Sequence, residues 1–115
     1  KSPDVNKFNV KHGVKKKKWD RIDLLVYRYE KDLTSPKAAT RTTAVTSLGA
    51  IGVRAEHATP KIQLALRDES KWVRRAAVKA LARIQGSKAA PHIRPMVKDP
   101  DPWVRYSAQK ALAAM

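Results

Sequence analysis

Lys71, Arg75, Lys79 and Arg83 recur at intervals of four, with Trp72 set among them, and the chemistry this spacing suits is recognition of an anion. On a helix, residues four apart share one face, so the four cations form a ridge. Like charges at that interval destabilise an isolated helix by about 0.2–0.5 kcal/mol per pair. Stability alone would not select such a ridge; a partner that neutralises it would. Trp72 lies on the flank that carries Lys79 and Arg83, so a ring for stacking and cations for phosphate stand side by side. The run Lys15, Lys16, Lys17 and Lys18, together with Lys110 near the other end, completes the candidate contacts for nucleic acid or another acidic partner. The plainer alternative is that Trp72 and Trp103 cover a seam between packed helices while the lysines are solvated.

Other chemistries find little support. His12, His57 and His92 are far apart and have no companions at ligand spacing, so they read as exposed loop residues rather than a zinc site. Cysteine is absent, which removes disulfides and thiolate metal sites and leaves the redox compartment open. No serine sits in a nucleophile elbow, and Gly49 and Gly52 make no phosphate-cradling loop. No cofactor, metal or catalytic residue is expected. The charge points the same way as the ridge: 25 Lys and Arg against 10 Asp and Glu give +15. A small domain so unbalanced repels itself until something acidic meets it, nucleic acid first, an acidic protein surface next and anionic lipid third. At 43% apolar the chain has the material for a folded core, and no stretch is long and apolar enough to span a bilayer.

The elements that must position these residues come in two parts. Residues 1–18 carry seven lysines and one acid, Asp4, with no apolar period, and read as an extended basic arm. Residues 19–115 are periodic. Ile22, Leu25, Val26, Tyr29 and Leu33 make one helical stripe over about 20–33, with Asp20 as its N-cap. Beyond it, Asp68-x3-Trp72-Val73-Arg74-x2-Ala77-x2-Ala80-Leu81-x2-Ile84 is repeated 31 residues later as Asp99-x3-Trp103-Val104-Arg105-x2-Ala108-x2-Ala111-Leu112-x2-Met115. Ala58, Pro60, Ile62 and Leu66 stand 31 before Ala89, Pro91, Ile93 and Val97, and Arg41, Ala44, Leu48 and Ile51 stand 33 before Arg74, Ala77, Leu81 and Ile84. A period of this length with two helical patterns per unit is a helical array.

Local signals agree. Ser35-Pro36, Thr59-Pro60 and Asp101-Pro102 each set an N-cap type before a proline suited to a first helical turn. Gly52 and Gly86 follow the second helices, where a left-handed C-cap fits. Pro91 and Pro95 cannot share one first turn, so the helix near 91–98 is expected to be short or kinked. On the helix from Trp72, the set Val73, Ala76, Ala77, Ala80, Leu81 and Ile84 falls in a band about 140° wide, opposite the ridge.

The unit Asp-x3-Trp-Val-Arg-x2-Ala-x2-Ala-Leu resembles the HEAT repeat, in the short form also seen in phycobilin lyases, over residues 20–115. The resemblance implies an all-α, right-handed α-solenoid of about three helical pairs, with the second helix of each pair on the concave side. It also implies an acid–arginine ladder between units, carried by Asp68, Arg74, Asp99 and Arg105; Arg41 matches in the first unit, but Lys37 stands where its acid belongs. HEAT-like alkylpurine DNA glycosylases set an acid and aromatic residues against DNA, which draws attention to Asp99, Asp101 and Trp103; ladder and cap roles account for both acids. No residue stands out for handling a bilin.

The expected function is therefore non-catalytic: a structural subunit of a large assembly that binds RNA and neighbouring proteins, as in an organellar, mitochondrial ribosome. The alternative is an accessory subunit of a membrane-associated energy-converting complex, touching acidic protein or anionic lipid. The lysine at position 1 fits a processed or trimmed chain, and the half-repeat ending at Met115 suggests apolar surface for a neighbour to cover, so the chain is not expected to act as an isolated monomer.

Overall fold

The computed structural model describes residues 18–115. The first helix, α1, spans Arg21–Asp32. Asp20 starts it with a reciprocal capping box: its Oδ1 accepts from the Asp23 amide at 3.0 Å, and Asp23 Oδ2 accepts from the Asp20 amide at 3.0 Å. Two amides that would lack helical partners are thereby satisfied. Of the expected stripe, Val26 is fully buried, and Ile22, Tyr29 and Leu33 pack partly against the core.

Five further α-helices follow: α2 over Ala38–Ile51, α3 over Thr59–Ala65, α4 over Lys71–Gln85, α5 over Ala90–Ile93 and α6 over Pro102–Ala113. Turns of 3₁₀ helix at Gly52–Ala58, Gly86–Ala89 and Arg94–Lys98 link them. α2, α4 and α6 pack side by side as one layer, while α1 lies on α2, α3 on α4, and α5 with its 3₁₀ extension on α6. The result is an all-α solenoid in which no described residue is in a strand. Its core repeats as the sequence does. Leu48 and Leu81, Val45 and Val78, and Ile62 and Ile93 are equivalent positions, and all six are fully buried.

Several local expectations change. Lys37, not Ser35, is the cap position of α2, and Ser35 Oγ instead accepts from the Lys37 amide at 3.2 Å. Thr59 is the first residue of α3, because the 3₁₀ turn runs straight into the helix and leaves no cap position open; its hydroxyl donates to the Glu56 carbonyl. Asp101 does cap α6, accepting from the Trp103 and Val104 amides at 2.9 and 3.0 Å. Gly52 and Gly86 have the positive φ expected of them, 79° and 58°, but ψ values of −138° and −135°. The chain therefore leaves the left-handed helical region and turns directly into 3₁₀ structure, a conformation open mainly to glycine. Pro91 and Pro95 divide the segment as expected, each in the first turn of its own short helix.

The inward face of α4 is wider than its apolar stripe suggested. Val78 is fully buried, and Ala76 is only half-buried. A helix flanked by α2 on one side and α6 on the other buries more of its circumference than a surface helix does.

The ladder reaches forward. Arg41 Nε and Nη2 donate to Asp68 at 2.9 and 3.1 Å, and Arg74 Nε and Nη2 donate to Asp99 at 2.9 and 3.2 Å. Nη1 of Arg41, Arg74 and Arg105 donates to the carbonyl six residues earlier, of Ser35, Asp68 and Asp99, at 2.8 Å in each case. Because each arginine grips the acid of the following unit, Lys37 costs the first unit nothing. Burial by itself would raise the Asp68 and Asp99 carboxyls; the arginines and the Ser70 and Asp101 amides outweigh it and hold both below the usual range.

A second polar tie fastens α1. Glu30 is 4% exposed; it accepts from Lys61 Nζ at 2.9 Å and stands 3.0 Å from His57 Nε2. His57 is thus a structural partner of a buried carboxylate and not an exposed loop residue. Burial alone would raise the Glu30 carboxyl, but hydrogen bonds and charge from His57 and Lys61 bring it from 4.5 to about 2. The stability this gives is complete above the unfolded value and is lost as pH falls from there toward the folded one, on the order of 3 kcal/mol in all. Denaturant midpoints at pH 6 and pH 3 should therefore differ more in the wild type than in Glu30→Gln. Equal acid sensitivity in the two would show that Glu30 does not carry this term.

Candidate functional site

The site is built from the approach of α2 to α4. A Cβ placed on Gly49 would lie 2.8 Å from Ala80 Cα and 2.9 Å from its Cβ, so only glycine lets the two helices come this close. Above that contact runs a groove of about 290 Å³. Thr42 and Thr46 form the α2 wall, and Trp72, Arg75, Lys79 and Arg83 the α4 wall. No acidic residue lines it.

Most of the ridge is therefore brought together, with one member diverted. Lys79 and Arg83 are exposed and make no ion pair with any described residue. Arg75 is half-buried, with its guanidinium 5.5 Å from the centre of the Trp103 ring, and its Nε is covered with no acceptor among the described residues. Lys71 turns away from the groove: its Nζ stands 5.4 Å over the Trp72 ring and 3.8 Å from Asp101 Oδ1. Lys110 lies on α6, 6.0 Å from the Tyr106 ring, outside the groove. Lys18 is exposed ahead of α1, and Lys15, Lys16 and Lys17, with the rest of the arm to residue 17, lie outside the described residues.

The tryptophans lie over the seams without being buried in them: Trp72 lines the α2–α4 groove and the Trp103 ring meets Arg75 of α4. Trp72 and Trp103 are 55% and 56% exposed. Between α2 and α4 the seam is closed by Gly49 against Ala80. Spacing alone does not mark Thr42, Thr46 or Tyr106, and Gly49 stands out only as half of a Gly49–Gly52 pair too sparse for a phosphate loop. The threonine-rich stretch of α2, Thr40-x-Thr42-Thr43-x2-Thr46, was the available signal for the polar wall.

The acids considered for catalysis are occupied. Asp99 is clamped by Arg74 and accepts from the Asp101 amide at 2.9 Å, and Asp101 caps α6. Among the described residues no three His, Asp or Glu side chains gather as a metal site, and no helix is long and apolar enough to cross a membrane. What the groove offers chemically is cationic hydrogen-bond donors, the Thr46 hydroxyl and an exposed indole face, a set suited to holding an anion that also presents a flat ring. The Thr42 hydroxyl already donates to the Ala38 carbonyl at 2.9 Å. A family model for HEAT repeats matches residues 23–113. No curated protein matches the chain.

Proposed function

Because the chain belongs to the HEAT-repeat family, whose members generally serve as interaction scaffolds and are generally non-catalytic, we propose that it is a scaffold subunit holding an acidic partner in the groove between α2 and α4. The partner we favour is RNA, in a ribonucleoprotein such as an organellar ribosome. The observation that carries this reading is the groove wall itself: Arg75, Lys79 and Arg83 face a cleft without a single carboxylate, beside an exposed tryptophan. Cations placed for internal stability would be expected to pair, as Arg41, Arg74 and Arg54 do. The net charge of +15 adds long-range attraction of the same sign.

Changing Arg75, Lys79 and Arg83 together to glutamine is the test. Lys79 and Arg83 are exposed and should cost little, while Arg75 gives up its contact with the Trp103 ring. The triple change should therefore cost no more than about 1–2 kcal/mol and leave the chain folded. Three lost phosphate contacts should lower the slope of log affinity against log salt by about 2 on single-stranded RNA. The loss should be alike for all sequences, because phosphate contacts position the strand without reading bases. An unchanged slope would put the contact outside the groove. Binding to an acidic protein or anionic vesicles, with none to RNA, would replace the partner.

A further inference from the structure

Three exposed rings continue the groove toward α6, and they narrow the kind of RNA that fits. Trp72, Trp103 and Tyr106 are 55%, 56% and 54% exposed, although aromatic side chains of this size are usually well covered. Each has a cation against it: Lys71 on Trp72, Arg75 on Trp103 and Lys110 on Tyr106, at 5.4, 5.5 and 6.0 Å. Trp103 and Tyr106 meet edge to face, at 6.4 Å and 87°, so their faces point in different directions. Arg75 belongs to α4 and Trp103 to α6, and their contact joins the cationic groove to the aromatic row.

We propose that this surface takes an unpaired strand of RNA, with phosphates on Arg75, Lys79 and Arg83 and with bases stacked on Trp72 and Trp103; the inference rests on the reading of the groove as an RNA site. The two tryptophans are repeat equivalents, each in the first turn of its helix, on neighbours in one layer. Packed helices lie about 8–10 Å apart. Bases within a duplex stack about 3.4 Å apart and show their faces only to one another. Because the two rings stand on different helices, stacking a base on each calls for bases freed from one another, as in an open strand. Stacking on an indole is tolerant of base identity, because every base has a flat face. An acidic protein would also satisfy the cations and bury the rings, so binding to such a protein with none to RNA is the outcome that replaces this reading.

The experiment compares oligouridine with an RNA duplex of equal length, on the full chain, for the wild type, Trp103→Ala, Trp72→Ala and Trp103→Phe. Oligouridine should bind more tightly than the duplex. Each alanine change should weaken oligouridine roughly five-fold to a hundred-fold, leave the salt slope unchanged and spare duplex binding. Trp103→Phe should retain most of the affinity, and circular dichroism should show all variants folded. Equal binding of both forms, with no effect of either alanine change, would overturn the stacking proposal and leave the phosphate groove standing. Failure to bind RNA of either form would overturn both.

Discussion

Leu81→Ala is expected to cost about 2–5 kcal/mol, a large share of the stability of a domain this size. Leu81 is 0% exposed and lies in the C-terminal half of α4, the helix that contacts α2, α3 and α6. With neighbours on so many sides, collapse onto the missing side chain would have to move several helices, so most of the cavity should persist. At about 4 °C or more per kcal/mol for a chain near 100 residues, the melting temperature should fall by at least about 8 °C. Leu64→Ala is the matched control: the same chemistry at a position 72% exposed, with little expected change. A shift of no more than a couple of degrees for Leu81→Ala would mean that the inward face of α4 is wrong.

Gly49→Val should be comparably damaging for the opposite reason. Even a methyl group at position 49 would fall 2.8 Å from Ala80 Cα, which is backbone and cannot swing aside. Alanine would gain about 1 kcal/mol of helix propensity, against an overpacking cost of about 1–3 kcal/mol. Valine adds bulk with only part of that propensity gain, and its only relief is to push α2 away from α4. The variant should lose stability and also deform the groove, whose floor lies at the same contact; under the proposed function its RNA affinity falls as well. Ala80→Gly in the same chain should restore stability only in part, since the nearest atom is the Cα that glycine retains. Wild-type stability in Gly49→Val would show that the close approach is not required.

The solenoid was legible because its evidence recurs. Asp68, Trp72 and Arg74 return as Asp99, Trp103 and Arg105, and one repeat supports the reading of the next. Features made by a single encounter were not legible. Nothing in the α1 stripe marks Glu30, because its partners, His57 and Lys61, come about thirty residues later. Val78 sits outside the α4 stripe and is buried only because a helix packs on either flank. Gly49 resembles any helical glycine until Ala80 is set against it. The cationic wall of the groove was visible as a spacing of four. Its polar wall was not, because α2 has no clear division into faces and its threonines gain meaning only opposite Trp72 and Arg75.

The forward reach of the ladder bears on how the array comes apart. Each of Arg41 and Arg74 is tied to its own unit through a carbonyl and to the next through a carboxylate. Peeling away one unit therefore leaves a half-covered guanidinium without its counter-ion in the unit before it and a carboxylate without its arginine in the unit removed. In a linear array whose stability is a sum of unit terms and nearest-neighbour terms, such ties enlarge the neighbour term. Partly frayed states become scarce, and the units unfold in concert instead of one after another.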